Sequence, residues 1–341
     1  MPPFFVVEWS PSILAVDKIT EDKRELSKIV FSKPGNFLQR LGFRRSNPVC
    51  TPRRMDLPLV FMHVPKTAGT AVTRALCTSL SPRHFVSGFD RVFFGDFSDF
   101  DTIDPELRRS IYLEPADLPA NGDLISGHIS FSTLRQVYPG AQFLTVLREP
   151  VSRLLSFWLY WRGQTEDQLR SWGKWADYVK RNRGPLGEFL FRREIAGPTD
   201  NLYARMLLWP HPLIPDSDFI DPRHDNVLVR LALNQLEEFA FRDIVENPQL
   251  QANMQKWLQR PFSLGIVNET PAAPSVQHRS LDEELTPEVH RALEDRTRLD
   301  LKIWTAVARQ VGITDPESLR DFALTKNIER HQRASASAAG P

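Results

Sequence analysis

The stretch Leu59-Val-Phe-Met-His-Val-Pro-Lys-Thr-Ala-Gly-Thr-Ala-Val-Thr-Arg-Ala-Leu76 decides the fold of this chain. An apolar run ends at Pro65 and an amphipathic segment closes the stretch, which is the pattern of a strand, a tight loop and a helix. The start of such a helix leaves backbone N–H groups unpaired, and together with the helix dipole they attract anions. The stretch therefore predicts an α/β fold whose loop binds a phosphate.

The loop itself adds further groups that suit a phosphate. Lys66 brings a positive charge, Thr67 and Thr70 bring hydroxyl groups, and Gly69 lets a ligand approach the backbone closely. A Walker A motif has the order G-x-x-x-x-G-K-[ST], whereas here the lysine precedes the glycine. This order disfavours an ordinary nucleoside triphosphatase or kinase. On this loop alone, a strand–turn–helix corner that happens to hold a lysine stays an alternative.

A second segment has the same organisation. Residues 141–147 form an apolar run of strand length, Arg148 follows it, and Glu149-Pro150 opens a helix. Ser152 and Ser156 are four residues apart and share one face of that helix. An arginine at a strand end and a serine in the next helix can hold a second phosphate. The alternative for Arg148 is a surface ion pair with a neighbouring acid.

A third segment lies between these two. Asp123-Leu-Ile-Ser-Gly-His-Ile-Ser-Phe131 predicts a short strand that breaks at Gly127, with His128 beside the break. Ligands of open α/β sheets bind beyond the carboxyl ends of the strands. A histidine there that titrates near neutrality suits a general base. A purely structural histidine is the alternative.

These three segments together resemble the signature elements of carbohydrate-type sulfotransferases, in the branch that contains heparan sulfate 2-O-sulfotransferases and their bacterial relatives. The resemblance implies a three-layer, P-loop-like α/β fold with a mainly parallel central sheet and helical decorations. It also implies 3′-phosphoadenosine 5′-phosphosulfate (PAPS) as the donor and a hydroxyl of a carbohydrate or glycolipid as the acceptor.

The resemblance assigns roles to residues of this chain. The loop would bind the 5′-phosphosulfate, Arg148 and Ser156 would bind the 3′-phosphate, and His128 would be the catalytic base. Lys66 would also be catalytic, because its charge can stabilise the departing nucleotide. The predicted nucleotide-binding residues are Lys66, Thr67, Ala68, Gly69, Thr70, Ala71, Arg148 and Ser156.

Weaker resemblances extend the similarity over residues 58–310. They comprise Asp200–Leu207, Leu236–Phe241, Asn268–Thr270 and Asp300–Trp304. The chain departs from the family pattern where Arg-Glu-Pro replaces Arg-Asp-Pro, where Phe241–Asn247 replaces a Gly-x-x-Glu turn, and where Trp304 replaces a tyrosine. The Phe241–Asn247 replacement leaves the local geometry open.

The chain divides into three predicted parts. Residues 1–57 are a locally basic N-terminal extension of unknown role, either packed on the core or contacting an anionic acceptor or a membrane surface. Residues 58–310 form the sulfotransferase domain, in which 86–119 are predicted as loop and short helix near the acceptor and 162–225 as an acceptor-side insertion. Trp158, Trp161, Trp172 and Trp175 cluster around the start of this insertion. Tryptophans can stack on sugar rings, but the helical spacing of these four favours core packing. Residues 311–341 are predicted as a helix and a disordered tail that begins at Ala334.

Composition narrows the function further. The 341-residue chain has a net charge of +1, which creates no global field for nucleic acid. Its eight histidines are scattered and its two cysteines are far apart, so we predict no metal site. We see no apolar stretch long enough to span a membrane and no signal peptide. Because eukaryotic Golgi members of the family it resembles carry an N-terminal anchor, we predict a cytoplasmic, bacterial protein, unless the sequence lacks such an anchor segment.

Two other functions stay open at this point. One is a nucleotide-dependent phosphotransferase on the same fold, and the other is a catalytically inactive nucleotide-binding scaffold. The sequence identifies neither the acceptor nor the oligomeric state.

Overall fold

The computed structural model describes residues 50–265 and 281–338. The predictions about most of the N-terminal extension, about Asn268–Thr270 and about residues 339–341 fall outside the described residues.

A six-stranded parallel sheet forms the centre of the molecule. The strands are β1 (Leu59–Met62), β2 (Phe85–Asp90), β3 (Ile111–Tyr112), β4 (Leu124–His128), β5 (Gln142–Leu147) and β6 (Phe239–Ile244), and they pair in the order β3-β2-β4-β1-β5-β6. Every residue of β1, β5 and β6 is buried, as expected for parallel strands covered on both faces. The predicted α/β fold with a mainly parallel sheet is confirmed.

Helices cover both faces of this sheet. The α-helices, in chain order, are α1 (Gly69–Leu80), α2 (Arg91–Phe94), α3 (Pro105–Arg108), α4 (Phe131–Val137), α5 (Pro150–Arg162), α6 (Glu166–Leu169), α7 (Trp175–Arg181), α8 (Leu186–Phe191), α9 (Ala196–Thr199), α10 (Leu202–Leu208), α11 (Asp225–Leu236), α12 (Leu250–Leu258), α13 (Leu281–Glu284), α14 (Pro287–Gln310) and α15 (Pro316–Ala338).

The alternation of side chains along the strands builds one apolar core on each face. On one face, Leu59 and Phe61 pack with residues of α1 and α12. On the other face, Val60 and Met62 pack with α4, α10, α11 and α14. Successive side chains of a strand point to opposite faces, so the continuous apolar run of β1 supplies both layers. The result is a three-layer arrangement.

A third apolar cluster is rich in aromatic side chains. Trp158, Trp161, Trp172 and Trp175 are each at most 7% exposed and pack with α5, α7 and α8. The expectation that these tryptophans belong to the core is confirmed. Side chains of α5 belong to this cluster, and α5 begins just after Arg148 at the end of β5.

The prediction for residues 86–119 was incomplete. Four short helices or 3₁₀ turns lie there as expected, but β2 and β3 do as well. Strand β2 contains Gly88, where an added Cβ would lie 2.1 Å from the carbonyl oxygen of Ser110. A glycine inside a strand weakens the sequence signal and marks close backbone approach, and β3 has only two residues. Neither strand was therefore recognisable by pattern.

The described ends of the chain add two details. Arg53 is buried and donates to Gln142 Oε1 at 2.8 Å and to the Leu57 carbonyl at 2.9 Å. Arg53 lies at the amino end of β5, so it packs on the core at the edge of the sheet opposite Arg148.

Helix α15 reaches Ala338, beyond the predicted start of the tail, since alanine favours helix strongly. Among the described residues, no helix combines the length and apolarity needed to cross a bilayer.

Candidate functional site

The loop between β1 and α1 has an unusual backbone. Lys66 has φ 68° and Ala68 has φ 60°, a left-handed conformation that costs a non-glycine residue about 1–2 kcal/mol. The buried Thr67 hydroxyl donates to the Val64 carbonyl at 2.9 Å and closes the loop on itself. Left-handed residues in a turn direct successive N–H groups into one concave surface, which is a common way to bind anions.

The start of α1 continues this surface. Ala68 stands at the N-cap position and carries no side-chain oxygen that could accept from the helix. Val72 N–H donates to the Ala68 carbonyl at 3.1 Å, so the amides of Gly69, Thr70 and Ala71 precede the first intrahelical bond. The structure thus brings the predicted residues 66–71 together as one cradle of backbone donors, and we refer to residues 66–71 as the cradle.

The ring of His63 packs so closely against Gly69 that it leaves no room for a side chain there. A Cβ added at Gly69 would lie 1.7 Å from both Cδ2 and Nε2 of the His63 ring. The ring of His63 also stacks on Phe61, with centroids 5.3 Å apart. Only glycine fits beside this ring, so the close packing of His63 against α1 determines the shape of the cradle.

His128 ends β4, which is the neighbour of β1 in the sheet. Its Nδ1 lies 2.6 Å from the carbonyl oxygen of His63. A carbonyl oxygen can only accept, so Nδ1 carries the proton and Nε2 keeps its lone pair in the neutral ring. The main chain just before the cradle therefore sets the tautomer that a base requires.

The surroundings of His128 are aromatic. Its ring centroid lies 4.4 Å from that of His63, 5.0 Å from that of Phe89 and 5.8 Å from that of Phe93. Burial lowers the pKa of His128 to about 4; the charge of Lys66 acts in the same direction and the bond to the His63 carbonyl opposes them. The expectation that His128 titrates near neutrality was wrong, because desolvation disfavours the charged ring.

Lys66 extends from the cradle towards α5. Its Nζ lies 4.4 Å from the centroid of the Tyr160 ring, within the range of a cation–π interaction. The contact places the positive charge against the last turn of α5, which carries Tyr160.

Arg148 follows β5, on the other side of β1. Its Nη1 donates to the Lys66 carbonyl at 3.3 Å, and its Nη2 donates to Asn327 Oδ1 at 3.2 Å. The Tyr203 hydroxyl makes two hydrogen bonds to the backbone of Arg148. It accepts from the Arg148 N–H at 3.1 Å and donates to the Arg148 carbonyl. The guanidinium thus touches the cradle directly, so the two predicted phosphate sites adjoin each other.

Helix α5 carries the remaining predicted residue, Ser156, which is 4% exposed. Glu149 caps this helix, and its carboxylate accepts from Val151 N at 3.1 Å and from Ser152 N at 2.6 Å. The backbone N–H of Glu149 donates to Glu246 Oε1 at 2.8 Å. Glu149 is therefore occupied as a helix cap, and Glu246 binds its backbone N–H.

Sequence reasoning missed three residues that shape this site. His63 stood in the quoted motif without a role, although its position three residues before Lys66 was visible. Tyr203 lies in the quoted segment Asp200–Leu207, but nothing there indicates a bond to Arg148. Asn327 is 179 residues from Arg148, and no local signal could have identified it.

Comparison with known protein families gives one match. Residues 54–183 match the model of the sulfotransferase family. This segment contains the cradle, His128, Arg148 and Ser156, while the weaker resemblances after residue 183 lie outside it. A search of curated proteins found no match. The match supports a sulfotransferase family and, in general terms, an enzyme that transfers a sulfonate from a donor to an acceptor hydroxyl.

Proposed function

We propose that this protein transfers a sulfonate group from PAPS to a hydroxyl of a carbohydrate or glycolipid acceptor. The observation that carries the proposal is the contact between two neighbouring strand ends. The His63 carbonyl, which leads into the cradle after β1, orients His128 at the end of β4. If the cradle binds a phosphate group, that group and the neutral imidazole would lie side by side, as an in-line transfer requires.

The residues present fit an anionic nucleotide with two phosphate groups. The backbone amides of the cradle and Lys66 would hold the 5′-phosphosulfate. Arg148 and Ser156 would hold the 3′-phosphate, because a guanidinium offers a planar set of donors to phosphate oxygens. PAPS, when bound, supplies the activated sulfonate.

His128 would act as the general base. Its Nε2 lone pair accepts the proton of the acceptor hydroxyl while the acceptor oxygen bonds to sulfur and the bond from sulfur to the bridging oxygen breaks. Lys66 would stabilise the negative charge that develops on that bridging oxygen. A neutral ring suits this role, because a protonated imidazole could not accept the proton.

Two aromatic side chains frame His128. Phe89 is half-buried and Phe93 is buried, and both rings lie against the imidazole. The choice of a carbohydrate or glycolipid hydroxyl as the acceptor rests on the resemblance of the sequence motifs to carbohydrate-type sulfotransferases.

Calorimetric titration tests the donor. We expect adenosine 3′,5′-bisphosphate to bind the wild type with micromolar affinity and Arg148→Ala to weaken it by roughly tenfold or more. ATP with magnesium should bind weakly. Tight magnesium-dependent binding of ATP without affinity for the bisphosphate would instead establish a phosphotransferase.

Turnover tests the base. With PAPS and a panel of oligosaccharides and glycolipids, we expect His128→Ala to lose about 10²–10⁴-fold in turnover and to keep its affinity for the bisphosphate. His84→Ala, an exposed histidine, is the matched control and should match the wild type. Near-normal turnover of His128→Ala would exclude it as the base. Bisphosphate binding without transfer to any acceptor by the wild type would favour an inactive scaffold.

A further inference from the structure

The last helix of the chain crosses the carboxyl end of β5. Arg320, Leu324, Asn327 and Ile328 of α15 have the spacing of one helix face. Leu324 and Ile328 pack against the apolar cluster that contains the buried side chains of α5. This packing docks α15 beside the residues proposed to bind the 3′-phosphate, although α15 lies outside residues 54–183.

Asn327 connects this helix to Arg148. It is 6% exposed, its Oδ1 accepts from Arg148 Nη2 at 3.2 Å, and its Nδ2 donates to the Ser152 carbonyl at 3.1 Å. Because both ends of the amide are bonded, its orientation is fixed. This one side chain therefore links the first turn of α5 to the guanidinium.

The chemistry of an amide matters at this position. An amide oxygen accepts from the guanidinium but carries no net charge, so the positive charge of Arg148 stays available to a phosphate. A carboxylate in the same place would pair with Arg148 and repel the phosphate. The nearby carboxylate of Glu149 is occupied by two backbone amides, and Arg320 of α15 lies 3.7 Å from it.

We propose that Asn327 is a positioning residue for recognition of the 3′-phosphate and that α15 completes the nucleotide site. This inference rests on the proposed function, since it assumes that Arg148 binds the 3′-phosphate. It adds a part of the chain that the sulfotransferase match does not include. Asn327 acts through Arg148 and need not touch the nucleotide itself.

The test compares two nucleotides that differ in the 3′-phosphate alone. Titration of adenosine 3′,5′-bisphosphate and of adenosine 5′-phosphate gives a ratio of affinities for each variant of the full-length protein. We expect Asn327→Ala to reduce this ratio by roughly tenfold by weakening the bisphosphate alone. Asn327→Asp should reduce it further, because the new carboxylate competes for Arg148.

Leu324→Ala is the matched control. It removes packing from the same helix without touching Arg148, so it should lower the melting temperature and leave the affinity ratio unchanged. An unchanged or increased ratio in both Asn327 variants would overturn the inference, as would an equal loss of ratio in Leu324→Ala. If the wild type itself does not prefer the bisphosphate, the proposed function fails first, so the two failures are distinguishable.

Discussion

The cradle and the strand end at Arg148 both serve to hold a phosphate, but they are built in opposite ways. The cradle consists of consecutive residues, and backbone amides in a left-handed turn form its surface. Arg148 is held by contacts with Lys66, Tyr203 and Asn327, which are 82, 55 and 179 residues away. One site is local in sequence, and the other depends on the assembled fold.

This difference predicts different responses to substitution. A change in the cradle should abolish binding of the phosphosulfate end with a limited effect on the rest of the fold. A change around Arg148 should affect stability and affinity together, because the same bonds join α10 and α15 to the start of α5. The following substitutions test this distinction.

Gly69→Ala should have the largest effect. The new Cβ would lie 1.7 Å from the His63 ring, so either the ring or the start of α1 must move. We expect the affinity for adenosine 3′,5′-bisphosphate to fall by about 100-fold or more, equivalent to about 2.7 kcal/mol. Calorimetric titration measures this loss.

Gly140→Ala is the control for that substitution. A Cβ at Gly140 meets nothing within 4 Å, so it carries the same change in chain entropy without a clash. It should bind the bisphosphate like the wild type. If Gly69→Ala also bound normally, the cradle would not depend on the packing of His63.

Tyr203→Phe should have an intermediate effect. The hydroxyl that bonds to the backbone N–H and carbonyl of Arg148 is lost, and both groups lie at a buried strand end. We expect a loss of about 1–3 kcal/mol in the free energy of unfolding. Affinity for the bisphosphate should fall by roughly tenfold, while affinity for adenosine 5′-phosphate should change little. Chemical denaturation and titration measure the two effects.

Tyr138→Phe separates stability from binding. The Tyr138 hydroxyl donates to the Pro119 carbonyl at 2.6 Å, away from the nucleotide site. It should lower the stability by a similar amount and leave both nucleotide affinities unchanged. An equal loss of affinity for the two nucleotides in Tyr203→Phe would mean that Tyr203 supports the fold in general and not Arg148 in particular.

The same contrast explains what the sequence could predict. The parallel α/β fold, the loop at Lys66 and the helix at Pro150 follow from continuous apolar runs and helix-start residues, which act locally. The contact of Asn327 with Arg148 depends on the docking of α15 by Leu324 and Ile328. No spacing rule connects residues so far apart. Strand β2 was missed because Gly88 interrupts its pattern.

The pKa of His128 also could not be predicted from the sequence, because it depends on burial in the assembled fold. It leads to the prediction with the smallest expected effect on activity. The residue type indicates a pKa of about 6.5, but its burial lowers the pKa to about 4. Neutral His128 should therefore persist at any pH above about 4, and the base should be lost only as the pH falls through that value. We expect kcat/KM for the acceptor, measured with saturating PAPS, to differ by no more than about twofold between pH 7 and pH 5.5.

Two measurements separate this prediction from other effects of acid. Circular dichroism at both pH values checks that the protein stays folded, and bisphosphate titration checks that the donor site stays occupied. An unperturbed histidine would be only about one-tenth neutral at pH 5.5, so kcat/KM would then fall by about tenfold. Such a fall would mean that the pKa of His128 is higher in the working enzyme, raised by the negative charge of bound PAPS or by solvation of the ring.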